Sequence, residues 1–118
     1  MRYGYLTNEE NERVVAKVSK TSNFFERMLG LLAIAKLNDN EGLLISPCSS
    51  VHTFGMRYAI DLIFIDKHWT IVKTVKSLKP WRLSASNKAS MVLEITANNL
   101  EQNKLSVGQK LEWHDEPE

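Results

Sequence analysis

The sequence contains a single cysteine, Cys48, so an internal disulfide is excluded. One thiol cannot supply the several soft ligands of a structural zinc site, and we predict neither a metal nor another cofactor. Proteins with free thiols and no disulfide are typical of reducing compartments. We therefore expect a cytoplasmic protein.

Long apolar runs are also missing. The longest uninterrupted ones, such as residues 62–65, are far short of the roughly 18 apolar residues that a membrane span requires. The first ten residues, MRYGYLTNEE, contain no apolar core of a signal peptide. We expect no export and no membrane partner.

Net charge is nearly absent, at +1, so the whole molecule is not drawn to nucleic acid or to an anionic surface. Charge is nevertheless unevenly distributed, because residues 67–93 contain six basic residues and no acidic one. The six are Lys67, Lys73, Lys76, Lys79, Arg82 and Lys88. Trp69 and Trp81 lie among them, and aromatic rings beside cations can stack bases or hold a phosphorylated ligand. The alternative is that the lysines protect a sheet edge and the tryptophans belong to the core.

What is present is the composition of one globular domain. The chain has 118 residues, of which 43% are apolar and 25% are charged, close to the averages for such proteins. This length is typical of one domain with one core. We predict a single domain over residues 1–118.

Most of the apolar patterning is of the strand type. β-Branched residues cluster at 14–18, short apolar runs occupy 42–45, 59–65 and 91–95, and residues 69–77 alternate. Apolar residues recur at helical spacing over about 22–35, and a short second helix is predicted over about 98–104. The sequence therefore predicts a β-rich α+β fold, a small barrel-like or strongly curved antiparallel sheet with one main helix.

A loop at residues 47–57 crowds Cys48, His52 and Arg57 into one connection between two predicted strands. Its Ser-Val-His-Thr-Phe-Gly-Met-Arg at 50–57, with Ile-Asp-Leu-Ile-Phe-Ile-Asp at 60–66, resembles the signature of the domain-of-unknown-function 192 (DUF192) family. Further agreement comes from Arg27 with Gly-Leu-Leu at 30–32, Lys-Pro-Trp-Arg at 79–82, Val-Leu-Glu at 92–94 and Val-Gly at 107–108.

This resemblance covers roughly residues 13–112. It implies a compact β-rich α+β domain, found in bacteria and archaea, without an established activity. The chain departs from the family pattern at 96–99, where Thr-Ala-Asn-Asn replaces the usual Pro-Ala-Gly. Asparagine can adopt the left-handed conformation that glycine would supply, so only the local turn is affected.

Cys48, His52 and Asp61 are the residue types of a thiol nucleophile, its base and the group that orients the base. A small hydrolase or transferase using His52 and Asp61 is therefore one hypothesis. The alternative is architectural: His52 holds the loop by bonding to backbone, and Asp61, inside an apolar strand, accepts hydrogen bonds from loop amides, Thr53 or His52, or pairs with Arg57. His68 and His114 are expected in a turn and a solvated tail.

The leading hypothesis is a non-enzymatic binding or accessory domain. Its predicted surface is loop 48–57 together with loop 79–82, because a proline-fixed loop presents Trp81 and Arg82 side by side. The predicted ligand-binding residues are His52, Thr53, Arg57, Lys79, Trp81 and Arg82. The predicted partner is an anionic small molecule, nucleic acid or protein that contacts the basic segment Lys67–Lys88.

Overall fold

A computed structural model describes residues 2–21, 39–53 and 58–116, and within these ranges it contains nine strands and one short helix. The helix predicted over 22–35 lies outside the described residues. The strands and helix, numbered here in chain order, are β1 (Arg2–Thr7), β2 (Arg13–Thr21), β3 (Glu41–Ile45), β4 (Ser50–His52), β5 (Ile60–Ile65), β6 (Ile71–Leu78), β7 (Leu83–Ala85), β8 (Met91–Thr96), α1 (Asn99–Gln102) and β9 (Glu112–Asp115).

Seven strands form one sheet in the order β6-β5-β8-β3-β2-β1-β9, and β4 pairs with β7 in a separate two-stranded ribbon. The β-rich α+β class is therefore confirmed. The sheet is mixed rather than wholly antiparallel, because β2 and β3 run parallel. Parallel neighbours require a long crossover, and residues 22–40 provide the necessary length.

The sheet is open but strongly curved. Residue 110 bridges to Thr70 beside β6, whereas Glu112, only two residues further on, pairs with Thr7 of β1. In a flat sheet these partners would lie about 24 Å apart, since neighbouring strands are separated by about 4.8 Å. The two ends of the sheet must therefore curve toward each other, although the sheet is not closed into a barrel.

Apolar side chains cover both faces of the central strands. All six residues of β5 are buried, as are the first five of β8, as expected of strands with a core on each side. The larger core includes Val15, Val18, Leu44, Ile63, Leu93 and Ile95. The smaller core consists of Val51, Ile60, Leu62, Phe64 and Val92. Strand alternation sends Ile63 to the larger core and Leu62 and Phe64 to the smaller one.

The predicted strand patterns are confirmed at 14–18, 42–45, 59–65, 69–77 and 91–95. The short second helix is confirmed as α1. The expectation of a solvated tail at His114 is wrong. His114 lies in β9, where its ring stacks on Tyr5 with a centroid distance of 4.8 Å, and its Nε2 lies 2.9 Å from Thr7 Oγ1.

Candidate functional site

The β4–β7 ribbon lies on the smaller core, into which it places Val51. The outward positions of the ribbon are exposed: His52 and Leu83 are opposite each other in the register, and Leu83 is 67% exposed. At the His52 end of the ribbon, β4 continues into Thr53. Residues 79–82 lead into β7 at the same end. The described part of loop 48–57 therefore meets loop 79–82.

Thr53 connects these two loops by hydrogen bonds. It is fully buried, its N–H donates to Arg82 O at 2.9 Å, and its carbonyl accepts from Trp81 N at 3.0 Å. Its Oγ1 donates to Lys79 O at 2.6 Å and accepts from Arg82 N at 2.9 Å. One buried residue thus holds the backbone of Lys79, Trp81 and Arg82, and Thr53 itself is not available to a ligand.

Trp81 is the most unusual residue of this turn. Its φ is +63°, in the left-handed region that bulky residues rarely adopt, and its side chain is 64% exposed. Strained backbone persists only where its surroundings over-determine it, and here the Thr53 hydrogen bonds do so. Lys79 and Arg82 on either side are also exposed. We call the set His52, Lys79, Trp81, Arg82 and Leu83 the Trp81 surface.

The cations of the basic segment differ in how they are engaged. Lys73 Nζ donates to Ala85 O at 2.8 Å, and Lys76 forms an ion pair with Glu101 at 2.7 Å. By contrast, no carboxylate among the described residues lies within ion-pairing distance of Lys79 or Arg82. The uncompensated positive charge of the described turn is therefore located beside the exposed indole.

Asp61 does not take part in this surface. Its carboxylate is fully buried, with Oδ1 accepting from Ser77 N at 2.7 Å and Oδ2 from Leu100 N at 3.0 Å. It pairs in register with Ile95 of the larger core, so its side chain lies on the face of the sheet opposite the β4–β7 ribbon. The carboxylate ties β6 and α1 to β5, and it uses amides other than those of the predicted loop.

Cys48 and His52 are near each other in sequence, but the structure gives them different surroundings. Cys48 is half-buried against the smaller core, and its thiol donates to Ser50 O at 3.1 Å. It lines an open surface cavity of about 460 Å³ with Pro47, Ser49, Ser50, Ala89 and Ser90. His52 is exposed on β4. Because the Asp61 side chain lies on the opposite face of the sheet, the three residues do not form a nucleophile–base–orienter arrangement.

Arg57, the remaining predicted ligand-binding residue, lies outside the described residues. Within residues 2–21, 39–53 and 58–116, no group of three or more His, Cys, Asp or Glu side chains could hold a metal ion. Over the same ranges, no helix is long and apolar enough to span a bilayer.

Glu94 is a buried carboxyl group that the sequence reasoning missed. It is 1% exposed in β8 between Leu43 and Leu62, and neither carboxyl oxygen has a hydrogen-bond partner among the described residues. Burial raises the pKa of Glu94 to about 8. The pKa of Tyr58 is raised too, first by burial and then by the charge of Glu94. The sequence indicates this buried carboxyl group only through an acidic residue within the apolar run 91–95.

Comparisons with known proteins agree with this architecture. A UPF0127 protein of Pyrococcus abyssi is 32% identical over 118 residues, covering 93% of this chain and 97% of that protein. A UPF0127 protein of Pyrococcus furiosus is 29% identical over 115 residues, covering 92% and 97%.

Two solved structures are similar in fold. A putative transcription regulator from Sinorhizobium meliloti superposes with a TM-score of 0.78 at 18% identity, covering 95% of this chain and 92% of that one. A protein of unknown function from Novosphingobium aromaticivorans gives 0.68 at 19% identity, covering 96% and 84%. The model of the family DUF192, described as an uncharacterized ACR, matches residues 6–113. The chain therefore belongs to the DUF192 family.

Proposed function

We propose that this protein is a cytoplasmic, non-enzymatic binding domain that takes an anionic ligand on the Trp81 surface. The observation that carries the proposal is the combination of exposure and constraint at Trp81. A large aromatic side chain is held 64% exposed on a strained backbone by hydrogen bonds to the buried Thr53. Backbone strain of this kind costs on the order of 1–3 kcal/mol and concentrates at functional positions.

Charge supports an anion as the ligand. Lys79 and Arg82 flank the indole, and no described carboxylate neutralises them. A guanidinium and an ammonium group can both donate to phosphate or carboxylate oxygens. A ligand that joins an anionic group to a flat ring would use the cations and the indole together.

An enzyme using Cys48, His52 and Asp61 has less support. A general base needs its orienting group within hydrogen-bond reach. The Asp61 carboxylate instead accepts two backbone amides on the other side of the sheet.

The test is an amide chemical-shift titration with inorganic pyrophosphate, an anion without a ring, and with ATP, which has one. We expect both probes to shift residues 79–83, and ATP also to shift the Trp81 indole N–H. The Lys79→Gln/Arg82→Gln variant should weaken binding of both probes. Lys17→Gln/Lys104→Gln, which removes two exposed lysines elsewhere, should leave it unchanged.

Two outcomes would contradict the proposal. In one, neither probe perturbs residues 79–83. In the other, the two double variants weaken binding equally, which would mean that the anions respond only to overall charge.

A further inference from the structure

We infer that the ligand of the Trp81 surface is single-stranded nucleic acid. This inference rests on the proposed function and narrows its ligand class. The first step concerns the shape of the site. Trp81, Leu83 and His52 are all exposed at one end of the ribbon. Small ligands are usually enclosed by clefts that bury most of their surface, whereas exposed rings are typical of surfaces that bind polymers.

The second step concerns stacking. Trp81 precedes Leu83 by two residues, which corresponds to at most about 7 Å of extended chain. His52 is opposite Leu83 in the register. An indole is therefore followed closely by an aliphatic and imidazole pair, and successive unstacked bases can lie on such groups. In a duplex the bases are already stacked on each other, so the indole would have no base face to contact.

The third step concerns charge. Proteins that bind single strands combine stacking rings with cations that follow the phosphate backbone. Lys79 and Arg82 are exposed on both sides of Trp81. Lys88 is a further exposed cation of the basic segment Lys67–Lys88. With a net charge of only +1, the molecule as a whole does not attract phosphates strongly. We therefore expect a small salt dependence and a strong dependence on Trp81.

The experiment measures fluorescence anisotropy of a labelled single-stranded DNA of about ten nucleotides, within the usual range of site sizes. Wild-type protein should bind it more tightly than the corresponding duplex. Trp81→Ala should weaken binding about 5- to 150-fold, the loss expected for one stacked base. Tyr3→Ala, which removes an exposed aromatic ring from β1, is the matched control and should bind like wild type.

Salt dependence gives a second, independent measurement. If Lys79 and Arg82 each contact a phosphate, the slope of log affinity against log salt concentration should be about −1.4. Lys79→Gln or Arg82→Gln should each reduce its magnitude by about 0.7, and Lys17→Gln should not change it.

The possible failures are distinguishable. Duplex binding equal to single-strand binding, or a Trp81→Ala variant that binds like wild type, overturns the inference. If a poly-glutamate peptide or pyrophosphate binds at residues 79–83 and the oligonucleotide does not, the ligand class is wrong and the proposed function stands. If none of these probes binds there, both fail.

Discussion

At the scale of single residues, two buried carboxyl groups have opposite surroundings. Asp61 has an amide donor on each oxygen, whereas Glu94 has no described hydrogen-bond partner. Both residues interrupt apolar runs of the sequence. Nothing in either run indicates which of the two carboxyl groups has hydrogen-bond partners. That difference comes from the two faces of the sheet, because Asp61 faces α1 and the larger core while Glu94 lies between Leu43 and Leu62.

Replacement of Asp61 by asparagine should destabilise the fold. The amide retains one acceptor but places an NH₂ group against a backbone N–H donor, which leaves a buried donor unsatisfied at a cost of about 1–3 kcal/mol. Urea unfolding of Asp61→Asn measures the loss. Asp66→Asn is the control, since Asp66 also accepts two amides, from His68 and Thr70, but in a more exposed turn, and its loss should be smaller. Equal losses would count against the role assigned to Asp61.

Glu94 should make stability fall as pH rises. Its folded pKa of about 8 lies above its ordinary value of 4.5, so the folded protein binds the proton more tightly than the unfolded chain. This contribution is fully present below about pH 4.5 and is lost as pH rises through about 8. The shift corresponds to roughly 5 kcal/mol.

The uncharged variant Glu94→Gln should remove most of this pH dependence, so that it gains stability over wild type as pH increases from 5 to about 9. Chemical unfolding at several pH values measures this difference. Glu112→Gln, at an exposed position of β9, should keep the wild-type profile. A wild-type stability that does not change between these pH values would show that Glu94 is ionised without penalty.

At the scale of secondary structure elements, the β4–β7 ribbon and its loop depend on Thr53. Its Oγ1 links the carbonyl of Lys79 to the amide of Arg82, and both groups come from the turn that displays Trp81. The ribbon has only three residues in each strand, and isolated two-stranded pairs of this kind are marginally stable. The two side-chain bonds therefore add to the backbone bonds that Thr53 makes with Trp81 and Arg82, and together they hold the turn.

Thr53→Val, which preserves shape but removes the hydroxyl, should cost about 1 kcal/mol of stability because the partly buried N–H of Arg82 loses its acceptor. The amide of Arg82 should exchange faster, and binding of pyrophosphate at residues 79–83 should weaken. Thr53→Ser keeps the hydroxyl and is the control. If valine and serine variants behave alike, the hydroxyl does not hold the turn.

At the scale of the whole molecule, the core on both sides of β5 and β8 should give a gradient of local stability. Amides of the central strands β3, β5 and β8 open only with global unfolding, whereas those of the β4–β7 ribbon open locally. Native-state hydrogen exchange should therefore show the slowest exchange in β5 and β8 and markedly faster exchange in β4 and β7. Ribbon amides as protected as those of β5 would mean that the ribbon unfolds only with the sheet.

Much of the fold follows from local sequence. The apolar runs at 42–45, 59–65 and 91–95 predict strands because a strand buried on both faces has apolar residues at every position. The alternation at 69–77 and the turn at 66–68 predict a hairpin from neighbouring residues alone. The parallel β2–β3 pair could not be predicted in this way, because parallel neighbours are not joined by a tight turn that would fix their register.

The site shows the same division. The sequence by itself determined the β-rich class, the crowded loop at 48–57 and the acid-free segment around Trp81, because composition and periodicity are properties of the chain. Only the tertiary structure decided that Thr53 joins the two loops, that Asp61 lies across the sheet from His52, and that Glu94 lacks a described partner. These are contacts between residues distant in sequence, and they depend on strand order and on which face each side chain takes.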